Sequence, residues 1–372
     1  MKVALLIEDS GFSGHTYSVI AAHLIPRLRR SGHEVVLFRS RRDPRHPSKS
    51  LLRGCVCYTL GRRSAFYHRP LAAFQMFWAF RKERVDVAHL HFHGMDFWGF
   101  FLLRLFVPVP YVLTFHSYPA GLVQRRGREF WILNFLMKKA SRITVVSRFL
   151  EESLRNAYPE ALAKVRVIPN GAGRAFQAGP QAPGPLPGRF VLSVGVLCFE
   201  KGLDLLLLAF HDLLRDTGED LRLVLCGEGL QEIFQDLIRR LGLESRVLLW
   251  GSCPYEAVLS LMGTCLFYVS ASRSESFGMA ILEAMAAGRA VVAPRVGGVF
   301  EFVRHEENGL LFDPGDAAGL KASMERLLRD ASLRDCLGAE ASRTALGFDW
   351  SEISRAYEQV QAEALQESIG SK

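Results

Sequence analysis

Residues 173–189 read GRAFQAGPQAPGPLPGR, with four prolines and four glycines in one short span. That composition makes a linker and not a helix or a strand. On either side of it the same rhythm recurs, short apolar runs alternating with amphipathic ones. Before the linker, strands are expected at residues 3–7, 34–38, 85–91, 111–115, 142–146 and 165–168, with a helix over about 17–30 that Gly32 closes. After it, strands are expected at 190–194, 221–226, 247–250, 266–269 and 290–293, with a helix over 203–214. A last amphipathic helix follows Phe348-Asp349-Trp350 and runs to about Glu367. Strands alternating with helices predict parallel sheets covered on both faces. The expected class is α/β, with two doubly wound, Rossmann-like domains. Residues 1–172 form the first and 190–347 the second, joined by 173–189; residues 348–372 pack back towards the first. A chain of 372 residues suits two cores better than one. In such sheets ligands bind outside the carboxyl ends of the strands, so two domains facing a central cleft would take one substrate on each side.

The segment SRSESFGMAILEAMA, residues 272–286, is the most informative for chemistry. It follows a strand ending near Ser270. Glu275 lies in the loop, and a helix is expected to begin near Phe277 or Gly278. The N–H groups of Phe277, Gly278 and Met279 would then be the open donors of a helix N-terminus, suited to phosphate or sugar oxygens. Glu283, one to two turns on, suits accepting from a diol such as ribose. Taken alone, Glu275 would pass for a capping acid and Glu283 for a solvated one. Lys201 lies in SVGVLCFEKGLD, residues 193–204, a strand, loop and helix start. A lysine beside a helix N-terminus suits a leaving diphosphate, although a lone lysine next to a glycine turn is more often a surface residue. Another strand ends in Gly227-Glu228-Gly229, and Gly297-Gly298 permits a close backbone approach or a turn.

In the first half, Gly11 and Gly14 separate the first strand from the first helix, where the backbone can approach a phosphate. His116, in Thr114-Phe-His-Ser117, follows a strand and can hydrogen-bond a sugar hydroxyl. His89, His91 and His93 alternate along a strand and share a face. That spacing suits a metal only with a carboxylate or cysteine partner, which the sequence does not place. His91 and His93 read better as polar groups at the strand end.

Together these residues resemble the retaining glycosyltransferases of family four, which have the GT-B fold. Glu275 to Glu283 has the E-x7-E form. Val167-Ile-Pro-Asn-Gly171, Gly195 through Lys201-Gly202, Gly227-Glu228-Gly229, Ala287-Gly288, Gly297-Gly298 and Asn308 to Pro314 occur in the expected order. The resemblance implies that Glu275 binds donor-sugar hydroxyls and that Phe277, Gly278 and Met279 meet sugar or phosphate through their backbone. It implies that Glu283 holds the ribose and Lys201 neutralises the diphosphate. Gly195, Gly227 and Glu228 belong to the donor site, Gly14 faces the diphosphate, and His116 sits by the sugar. It further implies a UDP- or GDP-type nucleotide-sugar donor, retention at the anomeric carbon, and no metal or other cofactor. Two departures stand out. Val196 occupies a position where arginine is common, leaving one cation missing unless Arg273 or Arg295 replaces it. Gly11-Phe-Ser-Gly14 stands where adjacent glycines are common. Two other readings share the donor features: a sugar-nucleotide 2-epimerase, which would need acid and base carboxylates the sequence does not place, and a non-catalytic nucleotide-sugar binding protein, against which Glu275, Glu283, Lys201 and His116 argue.

The acceptor is expected to be a glycan, a lipid-linked sugar or another cell-envelope or polysaccharide intermediate. Residues 1–175 carry 28 Lys and Arg against 11 Asp and Glu, a net of +17, while the remainder has a net of −9. The basic half also holds Phe74, Met76, Phe77, Trp78 and Phe80. Arginine with aromatics suits an anionic membrane surface; equally, the aromatics are core and the arginines a solvated face. Nucleic acid is not expected, since no recognised binding motif accompanies the charge. No signal peptide is read at the start, and residues 95–113, interrupted by Asp96, Arg104, Pro108 and Pro110, fit a short buried helix followed by a strand. The expected location is cytoplasmic, with peripheral contact at the inner face of the membrane. Seven scattered cysteines are read as reduced core residues.

Overall fold

The computed structural model describes residues 1–9, 14–41, 49–52, 54–61, 69–92, 97–117, 128–172 and 188–370. The chain divides into two compact units, Met1–Asn170 with Trp350–Lys372, and Gly171–Asp349.

The first unit holds an eight-stranded sheet: β1 (Lys2–Asp9), β2 (Glu34–Arg41), β3 (Lys49–Leu52), β4 (Cys55–Gly61), β5 (Val87–Phe92), β6 (Tyr111–Phe115), β7 (Arg142–Val145) and β8 (Val165–Val167). Their order is β3-β4-β2-β1-β5-β6-β7-β8. All pairs are parallel except β3 with β4, which departs from the all-parallel expectation. Only Arg53 and Gly54 separate those two strands. A link that short permits a hairpin alone, because a parallel crossover needs a dozen residues or more. The helices are α1 (Gly14–Arg30), α2 (Arg69–Glu83), α3 (Phe97–Phe106), α4 (Arg128–Lys139) and α5 (Arg148–Ala157). Residues 97–115 are thus a ten-residue helix and a strand, as expected. Among the described residues no helix is long and apolar enough to cross a membrane.

The second unit holds a six-stranded, wholly parallel sheet in the order β11-β10-β9-β12-β13-β14. Its strands are β9 (Phe190–Val194), β10 (Arg222–Cys226), β11 (Val247–Gly251), β12 (Tyr268–Val269), β13 (Val291–Pro294) and β14 (Leu310–Phe312). Its helices are α6 (Leu203–Thr217), α7 (Gln231–Arg240), α8 (Tyr255–Thr264), α9 (Met279–Ala286), α10 (Ala317–Arg329) and α11 (Ala331–Ala345). Leu206, Phe210, Leu223, Phe234, Val292 and Leu320 are fully buried together, because the inner face of each helix is apolar where it meets a strand that is apolar on both sides. Asn308 holds the turn before β14: its amide donates to Phe302 O (2.8 Å) and Thr344 Oγ1 (2.9 Å) and accepts from Arg304 N (2.7 Å).

The last helix, α12 (Trp350–Gly370), belongs to the first unit. Trp350 stacks on His23 with ring centroids 5.0 Å apart, and Tyr357 is buried. Arg142 donates to Glu363 (3.1 Å) and also pairs with Glu367, while His33 meets Glu358 at 2.9 Å.

The cysteine reading needs correction. Cys226, at the end of β10, is disulfide-bonded to Cys253, just past β11, and Cys336 is exposed rather than in the core. The sequence gives no hint of this pair, since it arises only when β10 and β11 become neighbours. Cys55, Cys57 and Cys265 are buried as expected. The aromatics of α2 divide between the two readings. Met76 and Phe80 are core, whereas Phe74 and Trp78 are 66% and 52% exposed.

Candidate active site

At the carboxyl ends of β9, β10 and β11 the backbone loops are tied into one ledge. Gly195 N donates to Cys226 O (3.0 Å), Gly227 N to Gly251 O (2.8 Å), and Leu197 N to Glu228 O (2.8 Å). Gly227 is required here. Its φ is +151°, and a Cβ on it would lie 1.8 Å from Gly195 O. Gly195 and Gly227 are therefore joined through the backbone, with Glu228 exposed beside them.

Lys201 ends a 3-10 turn, Phe199–Lys201, that leads into α6. Its Nζ lies 2.5 Å from Glu275 Oε1, a partly buried ion pair. Ser272 Oγ donates to the same oxygen at 2.8 Å and contacts Ser270 Oγ at 3.2 Å. Lys201, Gly195, Ser193, Ser270 and Ser272 line one small cavity. The loop carrying Glu275 is anchored from behind, where Gly298 N donates to Glu275 O (3.1 Å). The Gly297-Gly298 pair thus serves the close approach the sequence allowed.

Helix α9 begins at Met279, slightly later than expected, with Gly278 as its N-cap at φ +97°. A left-handed cap favours glycine. The N–H groups of Gly278, Met279 and Ala280 precede the first bonds of the helix, from Ile281 and Leu282 N to Gly278 O (3.1 Å each). Such groups carry the positive end of the helix dipole. The Phe277 ring is buried against Phe302 and Phe348, which leaves its backbone as the part that can meet a ligand.

Glu283 is buried, at 4% exposure, and not a solvated surface acid. Burial pushes its carboxyl up to about 7, and the Tyr255 hydroxyl, donating to Oε1 at 3.0 Å, pulls the other way. Tyr255, Ser270 and Ser272 escaped the sequence reading. Ser272 stands three residues before Glu275, a spacing that signals it. Tyr255 lies 28 residues before Glu283 and has no such signal.

Neither candidate replacement for the cation missing at Val196 is unengaged. Arg273 grips Asp204 with both Nη atoms (2.8 and 2.7 Å), which holds that carboxyl below its ordinary range, and Arg295 meets Asp313 at 3.3 Å.

In the first unit, Gly14 opens α1 after β1, and His116 directly follows β6. Gly11 and His93 lie outside the described residues. The β5–β6 register sets His91 opposite Thr114. His116 Nε2 is 3.0 Å from His91 Nδ1. His89 Nε2 is 2.7 Å from Thr114 Oγ1, and its Nδ1 accepts from Gln361 Nε2 of α12 at 2.7 Å. Burial lowers His89 to about 3 and holds His91 well below the usual imidazole range. Among the described residues no group of three or more His, Cys, Asp or Glu is arranged to hold a metal.

The chain matches the model for glycosyl transferases group 1 over residues 181–344 and that for glycosyltransferase family 4 over 18–173. The glycogen synthase of Mycobacterium tuberculosis is 30% identical over 298 residues, covering 75% of this chain and 69% of that one. The chain belongs to the group 1 glycosyl transferases. Its fold is GT-B. The sucrose-phosphate synthase of Thermosynechococcus elongatus superposes with a TM-score of 0.82 at 22% identity, over 100% of both chains. HepE of Anabaena, solved in complex with UDP-glucose, gives 0.77 at 20% identity, again over 100% of both chains. As a member of this family the protein is a glycosyltransferase.

Proposed function

We propose that the protein moves a sugar from a UDP- or GDP-type nucleotide-sugar to a glycan or lipid-linked acceptor, with retention at the anomeric carbon and without a metal. The observation that carries the donor half is the cluster of Lys201, Glu275 and Ser272 beside the start of α9. Lys201 supplies one cation, and the α9 N–H groups supply a second positive influence, where charge develops on a leaving diphosphate. Glu275 receives the hydroxyls of the transferred sugar and releases Lys201 from its ion pair as it does so. Glu283 receives the ribose diol, and the ledge around Gly227 and Gly251 receives the base. His116 hydrogen-bonds the transferred sugar, and Gly14 offers backbone to the diphosphate. The UDP-glucose held by the Anabaena protein supports a uridine donor.

The acceptor half rests on the first unit. Phe74 and Trp78 of α2, Leu105 and Phe106 of α3 and Trp131 of α4 are all more than half exposed, with Arg81, Lys82 and Lys138 on the same helices. Apolar anchors with cations suit the headgroup region of an anionic bilayer, and with it a lipid-linked acceptor at the inner face of a membrane. The test begins with a thermal-shift screen against UDP-, GDP- and ADP-sugars, since a ligand of the native state raises Tm. A rise with one uridine or guanosine donor, turnover unchanged by chelator, and an α-linked product from an α-linked donor are expected. No rise with any donor, or an inverted product, overturns the reading. Co-sedimentation with phosphatidylglycerol vesicles at low salt is expected, and its absence removes the membrane.

A further inference from the structure

Arg273, a candidate for the cation missing at Val196, is engaged on the turn that carries Lys201. Its backbone N donates to Glu200 O (2.8 Å), and its Nη1 donates to Phe199 O. Its guanidinium grips both oxygens of Asp204, at 2.8 and 2.7 Å. Phe199 and Glu200 precede Lys201 and Asp204 follows it, so one arginine holds the turn on both sides of that lysine. Between those contacts Gly202, at φ +65°, lies close against Ala271: a Cβ on it would stand 1.8 Å from Ala271 O. The loop after β12 and the turn after β9 are thus clasped together. The Lys201–Glu275 pair, at 2.5 Å, joins the same two segments.

A guanidinium that meets a carboxylate through two parallel bonds fixes direction as well as distance. The side chains of Arg273 and Asp204 are 43% and 27% exposed, and ion pairs so open to water contribute little to folding. The clasp therefore acts on geometry. Lysine is a point charge on a flexible stem, so the place its ammonium reaches depends on the backbone beneath it. Turning Arg273 towards a phosphate would break both bonds to Asp204 and leave a bare carboxylate beside the same turn.

We propose that Arg273, through Asp204 and the Phe199 and Glu200 carbonyls, is a positioning residue for Lys201 and makes no contact with the diphosphate. This rests on the role proposed above for Lys201. A displaced catalytic group lowers turnover even where the fold survives.

The test uses the full chain and two measurements, the first without donor. An amine-reactive ester acylates Lys201 at a rate read by peptide mass spectrometry. Arg273→Ala and Asp204→Asn, which loses the charge and one acceptor oxygen, are each expected to raise that rate by about threefold relative to the other lysines, the scale of one exposed ion pair. With donor present, each is expected to lower kcat by about tenfold, with donor KM changed by less than about twofold. Arg273→Lys keeps the charge and loses the fork, so it is expected to behave as Arg273→Ala. The double variant is expected to be no worse than either single one, because both remove one interaction. If Arg273 instead meets the diphosphate, Asp204→Asn frees it and lowers donor KM while Arg273→Ala raises it; such opposite signs overturn the proposal. Unchanged acylation of Lys201 in both variants, or additive losses in the double variant, also overturns it. If Arg273→Ala does not fold, Asp204→Asn decides alone through its acylation rate and the sign of its KM change. A native chain that turns over no nucleotide-sugar overturns the proposed function instead, and the acylation rates without donor are independent of it.

Discussion

Glu283 shows how burial gives one residue two opposed duties. Its carboxyl is pushed up to about 7, above the ordinary value of 4.5. For stability the sign is that of a raised group: the contribution is fully present below about 4.5 and is lost as pH rises through about 7. For the ribose contact proposed for Glu283 the sign reverses, because a diol donates to the ionised form. Donor affinity is therefore expected to rise between pH 6 and 8, roughly the window around the raised value. Glu283→Gln should raise Tm at pH 8 and weaken the donor by about tenfold or more, in keeping with the loss of a charged hydrogen bond. Thermal melts and donor titrations on the same samples check both. A fall in Tm at pH 8, or unchanged affinity, contradicts this account. Tyr255→Phe removes a bond that lowers this group, so the pH edge of binding should move upward.

At the scale of elements, the proposed donor site is a set of strand ends held in register by backbone. That is why the candidates for it are read from glycines and acids rather than from side-chain partners. Gly195, Gly227 and Gly278 mark places where the chain turns sharply, and the sequence exposes them because few other residues fit. Gly227→Ala is expected to destabilise the second unit by about 2 kcal/mol or more, since the β9 and β10 loops must separate to admit a methyl group. Hydrogen exchange should localise the loosening to the amides of Gly195, Leu197 and Gly227; a change spread evenly over the chain contradicts the assignment. What the sequence hid were contacts between distant elements: Tyr255 on Glu283, Cys226 on Cys253, and Arg273 on Asp204 in place of a phosphate contact. Each depends on which strands become neighbours, and no local pattern encodes that. The β3–β4 hairpin was missed because β3 is only four residues long and lies at the edge of a sheet read as parallel.

For the molecule as a whole, the charge asymmetry between the halves is partly answered by the chain itself. Helix α12 carries four glutamates and one arginine, and it returns to the basic first unit. There Glu358, Glu363 and Glu367 meet Arg27, His33 and Arg142. The amphipathic pattern made α12 legible, but its polar partners were not. Gln361 and Tyr357 come from this helix to the histidine layer of β5, about 270 residues earlier. Tyr357→Ala is expected to cost about 3–5 kcal/mol by opening a cavity beside His89 and His91. Chemical denaturation followed by amide exchange should place that loss in the first unit; an equal loss in the second would contradict the division seen here.

The proposed donor site lies in the second unit, where Glu275 pairs with Lys201. The most direct test is release of nucleoside diphosphate from the nucleotide-sugar that raises Tm, followed in parallel for the native chain and Glu275→Ala. The variant is expected to keep its fold and lose about 10²–10³ in kcat, the scale of a lost transition-state contact. Equal rates in the two proteins would contradict it.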